Sequence, residues 1–504
     1  MSHVSTPVHK EEPVSERTDD TRTYRPWWLN LTFFIGRPPA LTRRQWRVLG
    51  LVAAVSFFEQ YDLYLFTLAL RQIQAGLAIE EAELGLLGAI VRFGALPAFF
   101  VALVADRIGR RRVLLFTILA YTLFTGLTAF VADARLFVVC QFFARTFAVA
   151  ESLLAVVVIA EEFDPAVRGW GIGAYAAIAS CGAGLAALLF ALVGHMEHGW
   201  RVLYLVGLVP LLLIAQWRRT LPETERFAEY QQQRIDTGQS EHALQPLRHL
   251  LRMYPERMAI LSSVVFILAV TEAAAGFFGP KYLQEVHGWT PSGVGLLTVF
   301  GGAFAIVGNT FAGWLSDRIG RKYVTVGFLL CEVVFTLAYY HSSAVLVVPF
   351  WILMIFTLLG GNVTLAAYGA ELFPTSYRST AAGARVVVAT IGGGIGLALE
   401  SVLYGILGSH WEAISLLAAL AVPGPILDGD ISGNSGTDVG RNCARTIRGE
   451  AGEKGKWIKG EMEKKKKDKL LLLFFLSPFR RFPFLPRRAG LAFSSHAHLS
   501  THVE

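Results

Sequence analysis

Charge is scarce in this sequence, and where it occurs it is bunched. Only 17% of the 504 residues are charged, against about a quarter in an ordinary soluble protein. Hydrophobic residues make up 53% and mean hydropathy is +0.46, which excludes an ordinary water-soluble globular chain. Cysteine is scarcer still. The four residues, at 140, 181, 331 and 443, fall mostly inside apolar runs and suit neither a disulfide framework nor a metal site. Phosphate-binding glycine loops, dinucleotide fingerprints, zinc-ligand spacings and nucleophile elbows are all missing, so we expect no enzyme, no metal and no cofactor. The net charge of +7 calls for no nucleic acid, because basic loops at a membrane account for it.

What is present is a series of apolar runs of about 20 residues, the length that crosses roughly 30 Å of hydrocarbon. Six are expected at 46–70, 84–105, 113–131, 136–160, 170–193 and 202–217. A polar linker over 218–258 then divides the chain, and six more follow near 259–279, 293–315, 324–340, 345–368, 381–408 and 411–427. Residues 1–45 are polar and lack the apolar core of a cleavable signal; they read as a cytoplasmic segment.

Two charged interruptions are near-copies. Ala102-Leu-Val-Ala-Asp106-Arg107-Ile-Gly109-Arg110-Arg111-Arg112 recurs as Gly313-Trp-Leu-Ser-Asp317-Arg318-Ile-Gly320-Arg321-Lys322, with the aspartates 211 positions apart. Such charges cannot sit in hydrocarbon, so each copy must be a tight turn at a membrane surface. The glycines permit the reversal, and the aspartates can accept from N–H groups at a helix start. A second pair follows the fourth span of each half. Glu162-Phe-Asp-Pro165-Ala-Val-Arg168 with Gly173 matches Glu371-Leu-Phe-Pro374-Thr-Ser-Tyr-Arg378 with Gly383. Two motifs repeated at nearly one offset, with six spans per half, imply paired bundles related by an axis along the membrane normal.

These turns resemble the loop 2–3 and loop 4–5 signatures of the major facilitator superfamily and their echoes in its second half. One departure is Ala102, where the family's leading glycine stands. The resemblance covers about 46–427. It implies an all-α membrane protein of 12 transmembrane helices in two pseudo-symmetric six-helix bundles, 46–217 and 259–427. It further implies that the turn residues (Asp106, Arg107, Gly109, Arg110, Asp317, Arg318, Gly320, Arg321, Glu162, Arg168, Glu371 and Arg378) clamp cytoplasmic helix ends in one access state. The alternative is that they enforce topology through positive charge alone. The loops placed inside hold nine basic residues against four outside, at Arg71, Arg135, Arg201 and Lys281, which puts the N-terminus in the cytoplasm.

Charges within the spans are the candidate site, since each costs roughly 2.5–3.5 kcal/mol at a helix centre unless it meets a partner or water. Glu59 and Asp62 in span 1 are three apart, on one helical face. Two carboxylates sharing a dry face cannot both ionise easily, which is what a proton carrier needs. The segment resembles the first span of aromatic-acid and metabolite:proton symporters. The other reading puts Asp62 near the outer mouth, permanently ionised in a salt bridge. Arg145 and Glu151 lie in span 4; Arg145 either meets a span 1 carboxylate or anchors an anionic substrate, or serves a structural ion pair. Arg92 in span 2, Glu272 in span 7 and Arg385 in span 11 complete the substrate and ion-pair candidates. Gly392 to Gly396 read as a close helix approach or a rocking point.

The expected function is secondary active transport by alternating access: proton-coupled symport of a small organic solute, with an organic anion as first choice. A sugar or polyol porter is second, because the Glu-x-x-Pro turns and Leu221-Pro-Glu-Thr224 also resemble sugar porters. A solute sensor without transport is the third. Expected partners are the solute, protons and membrane lipid, with the proton gradient as driving force. The chain is expected as a monomer in the plasma (cell inner) membrane. The last span is expected to be truncated: Pro423-Gly-Pro425 and two aspartates end it early, and the basic 428–504 stretch fits no family ending. A disordered basic tail on anionic lipid is the alternative.

Overall fold

The computed structural model describes residues 38–196, 198–218, 245–374 and 377–420, excepting the side chains at 103, 106, 107, 218, 245 and 246. The expectations for the N-terminal segment, most of the linker and the tail lie outside the described residues. Eleven described helical stretches are long and apolar enough to cross a membrane, and His410–Leu420, at the place of span 12, is a further, shorter helix.

Most helices run past their apolar stretches, because capping residues start them earlier than hydropathy does. Span 1 is Arg43–Leu68, opened by a capping box in which the Thr42 hydroxyl accepts from Gln45 N at 3.2 Å and Thr42 N donates to the Gln45 side chain at 3.0 Å. Span 4, Ala134–Glu162, starts on the Asp133 carboxylate, which accepts from Arg135 N and Leu136 N. Proline at the first turn opens span 5 (Pro165–Val193), span 7 (Pro255–Glu285) and span 8 (Pro291–Ile319). Spans 3, 6, 9, 10 and 11 are, in order, Arg110–Thr128, Gly199–Arg218, Arg321–Tyr340, Val347–Glu371 and Arg378–Leu407.

Three boundaries differ from the expectations above. Span 1 is followed by a separate short helix, Leu70–Leu77. Span 2 is two segments, Leu84–Phe93 and Ala95–Ile108, broken where Pro97 removes an N–H and the Thr146 hydroxyl bonds the Gly94 carbonyl at 2.7 Å. The linker was expected to run to 258, yet its end holds an amphipathic helix, Gln245–Met253, and span 7 starts at Pro255.

The internal repeat is visible in the packing. Span 1 lies on span 5 as span 7 lies on span 11; span 3 lies on span 4 as span 9 lies on span 10. Across the halves, the first segment of span 2 packs on span 11, and span 5 on span 8. Helices approach closely where glycine removes the side chain. A methyl at Gly182 would strike the Phe57 carbonyl, and one at Gly396 the Val270 carbonyl, in equivalent places of the two halves. Close approach therefore explains the span 11 glycines. Phe100, Phe130, Phe300 and Ile406 point outward, each more than two-thirds exposed, which suits a lipid surround.

The paired turns were expected to put aspartate at a helix start. Instead the helix continues through Asp-Arg-Ile and reverses at the glycine alone. Gly109 (φ 103°, ψ 142°) and Gly320 (φ 112°, ψ 137°) share one conformation in the region that favours glycine. Asp317 is largely exposed and sits 3.7 Å from Arg321, so it does not accept from an opposing helix start here. The Asp106 and Arg107 side chains lie outside the described set.

At the turn side, described pairs stay within one half: Arg44–Glu162 at 2.8 Å, Arg110–Glu161 at 2.7 Å and Arg321–Glu371 at 3.1 Å. Arg168 and Arg378 reach the carbonyls of Phe163 and Phe373, the same step in both halves. Arg318 lies over the Trp314 ring. On the opposite side, the halves are joined by several direct hydrogen bonds, including Gln72–Gln284 at 2.7 Å and Ser292 to the Ala191 carbonyl at 2.8 Å. This state is closed opposite the turns. Gly85 of span 2 is pressed against Glu400 and the Leu397 carbonyl of span 11. Gly85→Val is therefore expected to wedge that closure apart and raise cysteine labelling from that side severalfold. Unchanged labelling would contradict the packing argument.

Candidate transport site

Span 1 carries Glu59 and Asp62 on one face, and both are buried, at 5% and 8% exposure. Span 4 brings Arg145 to 3.6 Å from Glu59, whose carboxylate also accepts from the Ser152 hydroxyl. Asp62 has a different environment. One oxygen accepts from the Tyr121 hydroxyl and from Thr125 at 3.0 Å; the other is buried without a partner. No cation lies within ion-pair distance of Asp62 among the described residues, which overturns the reading of a permanently salt-bridged aspartate at the outer mouth. A full negative charge held there without a counter-ion is costly.

Both carboxylates, Arg145, Tyr121, Gln141 and Phe66 line one small cavity, walled by the first half. Glu151 does not line it; it is buried, accepts from Thr117 at 2.6 Å and lies within electrostatic reach of Glu59. From the second half, Glu272 accepts from Asn362 at 3.2 Å and lies within electrostatic reach of Arg92 and Arg385. The Arg92 guanidinium rests on Gly393 of span 11, where a Cβ would collide with it, and its buried Nε has no hydrogen-bond partner. The candidate charges thus form one set of carboxylates and guanidinium groups where the halves meet, with Glu151 joined to it through Glu59. Toward the turns, a second opening lies beside Ser262, Ser263, Phe266 and Val388 on spans 7 and 11.

Residues that the sequence reading did not combine stand opposite the turns. Lys281, expected in an outer loop, is inside span 7 and has a fully buried side chain. It meets Glu81, Glu285 and Gln74, while His410 meets Glu81 and Glu400. Their separations of up to 329 positions left no local signal.

Two helical halves with eleven membrane-length stretches between them close over a polar centre from one side, the architecture of a multi-pass membrane transporter. The family model of the Major Facilitator Superfamily matches residues 52–290 and 260–424, and the chain belongs to that superfamily. It is 25% identical to a probable 4-methylmuconolactone transporter of Cupriavidus pinatubonensis, over 77% of this chain and 91% of that one. It is 24% identical to a benzoate transport protein of Acinetobacter baylyi, over 76% and 89%. A crystal structure of a D-xylose-proton symporter superposes with a TM-score of 0.63 at 14% identity, covering 76% of this chain and 97% of that one, a likeness of fold.

Proposed function

We propose that this chain is a proton-coupled symporter that imports a small organic anion, an aromatic or other carboxylate, by alternating access. The observation that carries this reading is the single cavity shared by Glu59, Asp62 and Arg145. Asp62, with no cation beside it among the described residues, is the proton carrier; Glu59 is held by Arg145 and Ser152. Arg145, Arg92 and Arg385 supply positive charge for the anion near the bilayer midplane. The names of the two relatives support a carboxylate over a sugar or polyol, as do three half-buried arginines at the site.

The bias of basic residues, nine against three once Lys281 is placed inside span 7, supports a cytoplasmic location for the paired turns and the N-terminus. On that assignment the present state is closed outside and opens inward. The cycle runs between this state and its outward-open counterpart, with the chain acting as a monomer in the plasma (cell inner) membrane, surrounded by lipid and driven by the proton gradient without a cofactor.

An uptake screen in proteoliposomes tests the reading, with aromatic carboxylates, muconate-like dicarboxylates, sugars and polyols offered with and without an inward proton gradient. The expected result is gradient-stimulated uptake of a carboxylate. Gradient-independent sugar flux would overturn the assignment, and binding without any flux would mean a sensor.

A further inference from the structure

We propose that His410, Glu400, Glu81 and Lys281 form a second, non-transported proton site that latches the outer mouth, closing it in acid and releasing it in base. Its outer position and its closing role rest on the orientation and transport cycle proposed above.

The latch joins the two halves. Glu81 comes from the short 3-10 turn Glu81–Glu83 before span 2; Lys281, Glu400 and His410 come from spans 7, 11 and 12. Lys281 Nζ, with its side chain fully buried, donates to Glu285 at 2.5 Å, Gln74 at 2.9 Å and Glu81 at 3.0 Å. The His410 ring is sandwiched between Phe278 and Tyr404, with centroids at 4.5 Å and 4.2 Å. Its Nδ1 lies 2.5 Å from Glu400 and its Nε2 lies 3.0 Å from Glu81.

A neutral imidazole donates from only one nitrogen. With a carboxylate on each nitrogen, a neutral ring would leave one pair of acceptors facing each other. The arrangement is satisfied when one extra proton is present, which makes the ring a double donor. Charge balance points the same way. Among the described residues, Glu81, Glu285 and Glu400 face one lysine, and Glu400 is fully buried with one oxygen lacking a partner. The remaining neighbours do not supply the missing charge. Trp411 and Tyr404 are uncharged, Glu412 is exposed on the helix of His410 itself, and His341 at the end of span 9 bonds Ser415 at 3.0 Å.

Opening the outer mouth draws Glu81 away from both His410 and Lys281. The closed state therefore binds the His410 proton more tightly than the open state does. Closure gains in full from this group below the ordinary histidine range, and the gain is lost as pH rises from that range to the higher value at which the closed state gives up the proton. The sign suits an importer, because acid outside promotes closure behind a loaded solute. The proton returns to the outside when the latch opens, so it is not counted in the coupling ratio.

The test uses the full-length protein in proteoliposomes, with native cysteines replaced by serine. One reporter cysteine is placed at Leu84, buried beside the latch, and a separate control is placed at exposed Val345. An impermeant maleimide is applied from each face in turn over about pH 5.5 to 8, and labelling is normalised to the control to remove thiol ionisation. In the otherwise native latch, Leu84→Cys labelling should rise severalfold with pH. His410→Gln should label strongly at every pH, and His410→Arg, which keeps a permanent charge, should label weakly at every pH. The same pH response in His410→Gln as in the native latch, or no pH response in the native latch, would overturn the proposal. Accessibility only from the lumen would reverse the assigned orientation, and pH-dependent labelling without solute uptake would sink the transport reading alone; in both cases the latch stands.

Discussion

Asp62→Asn is expected to abolish gradient-driven accumulation while leaving folding and solute exchange in place. The amide keeps the shape of the carboxyl group, and its oxygen can still accept from Tyr121 and Thr125, the partners that hold Asp62 now. What it loses is the ability to carry a proton. Accumulation should fall by at least about tenfold, to the level set by the solute gradient alone, since a 1.4 kcal/mol drive corresponds to one decade. Exchange of labelled for unlabelled solute needs no proton movement and should persist. Glu59→Gln is expected to differ. It removes the partner 3.6 Å from Arg145 and frees that arginine, so solute affinity should change along with coupling. Full gradient-driven uptake by the Asp62→Asn protein would remove the proton-carrier assignment.

Arg145→Ala carries the second large effect. It deletes a cation from the cavity and leaves Glu59 with the Ser152 hydroxyl as its remaining described partner. A charge-assisted hydrogen bond to a bound carboxylate contributes roughly 1.5–3 kcal/mol, so apparent affinity for an anion should weaken by tenfold or more. Breaking a buried pair also destabilises the protein, by about 3–5 kcal/mol when the abandoned charge stays dry. The double variant Glu59→Gln with Arg145→Met separates the two losses, since it should recover expression without recovering anion affinity. Wild-type affinity in Arg145→Ala would mean that the arginine only neutralises Glu59.

The membrane architecture was legible because hydrocarbon imposes a length and forbids loose charge, and because the Asp-Arg-Ile-Gly turns occur twice. The matching φ and ψ of Gly109 and Gly320 show how much of that repeat is backbone geometry. The break in span 2 was less legible. Pro97 is a visible cue, but the partner that stabilises the break is Thr146, on another span. At the candidate site, Glu59 and Asp62 stood out as charges in an apolar run. That Glu59 meets Arg145, while Asp62 meets hydroxyl groups of span 3, follows from tertiary packing, which spacing within one helix does not encode. Glu81, Lys281 and His410 sit at span ends, where charge costs little and attracts no notice. Only folding shows that Lys281 is fully buried and shared between halves.

The most direct measurement is solute-driven proton movement in proteoliposomes that carry a pH-sensitive dye in the lumen and no imposed gradient. Once the uptake screen has identified a transported carboxylate, adding it outside is expected to acidify the lumen of vesicles containing the native protein. Asp62→Asn vesicles are expected to show no acidification. Entry of the carboxylate through the native protein with no accompanying acidification would contradict proton coupling through this site.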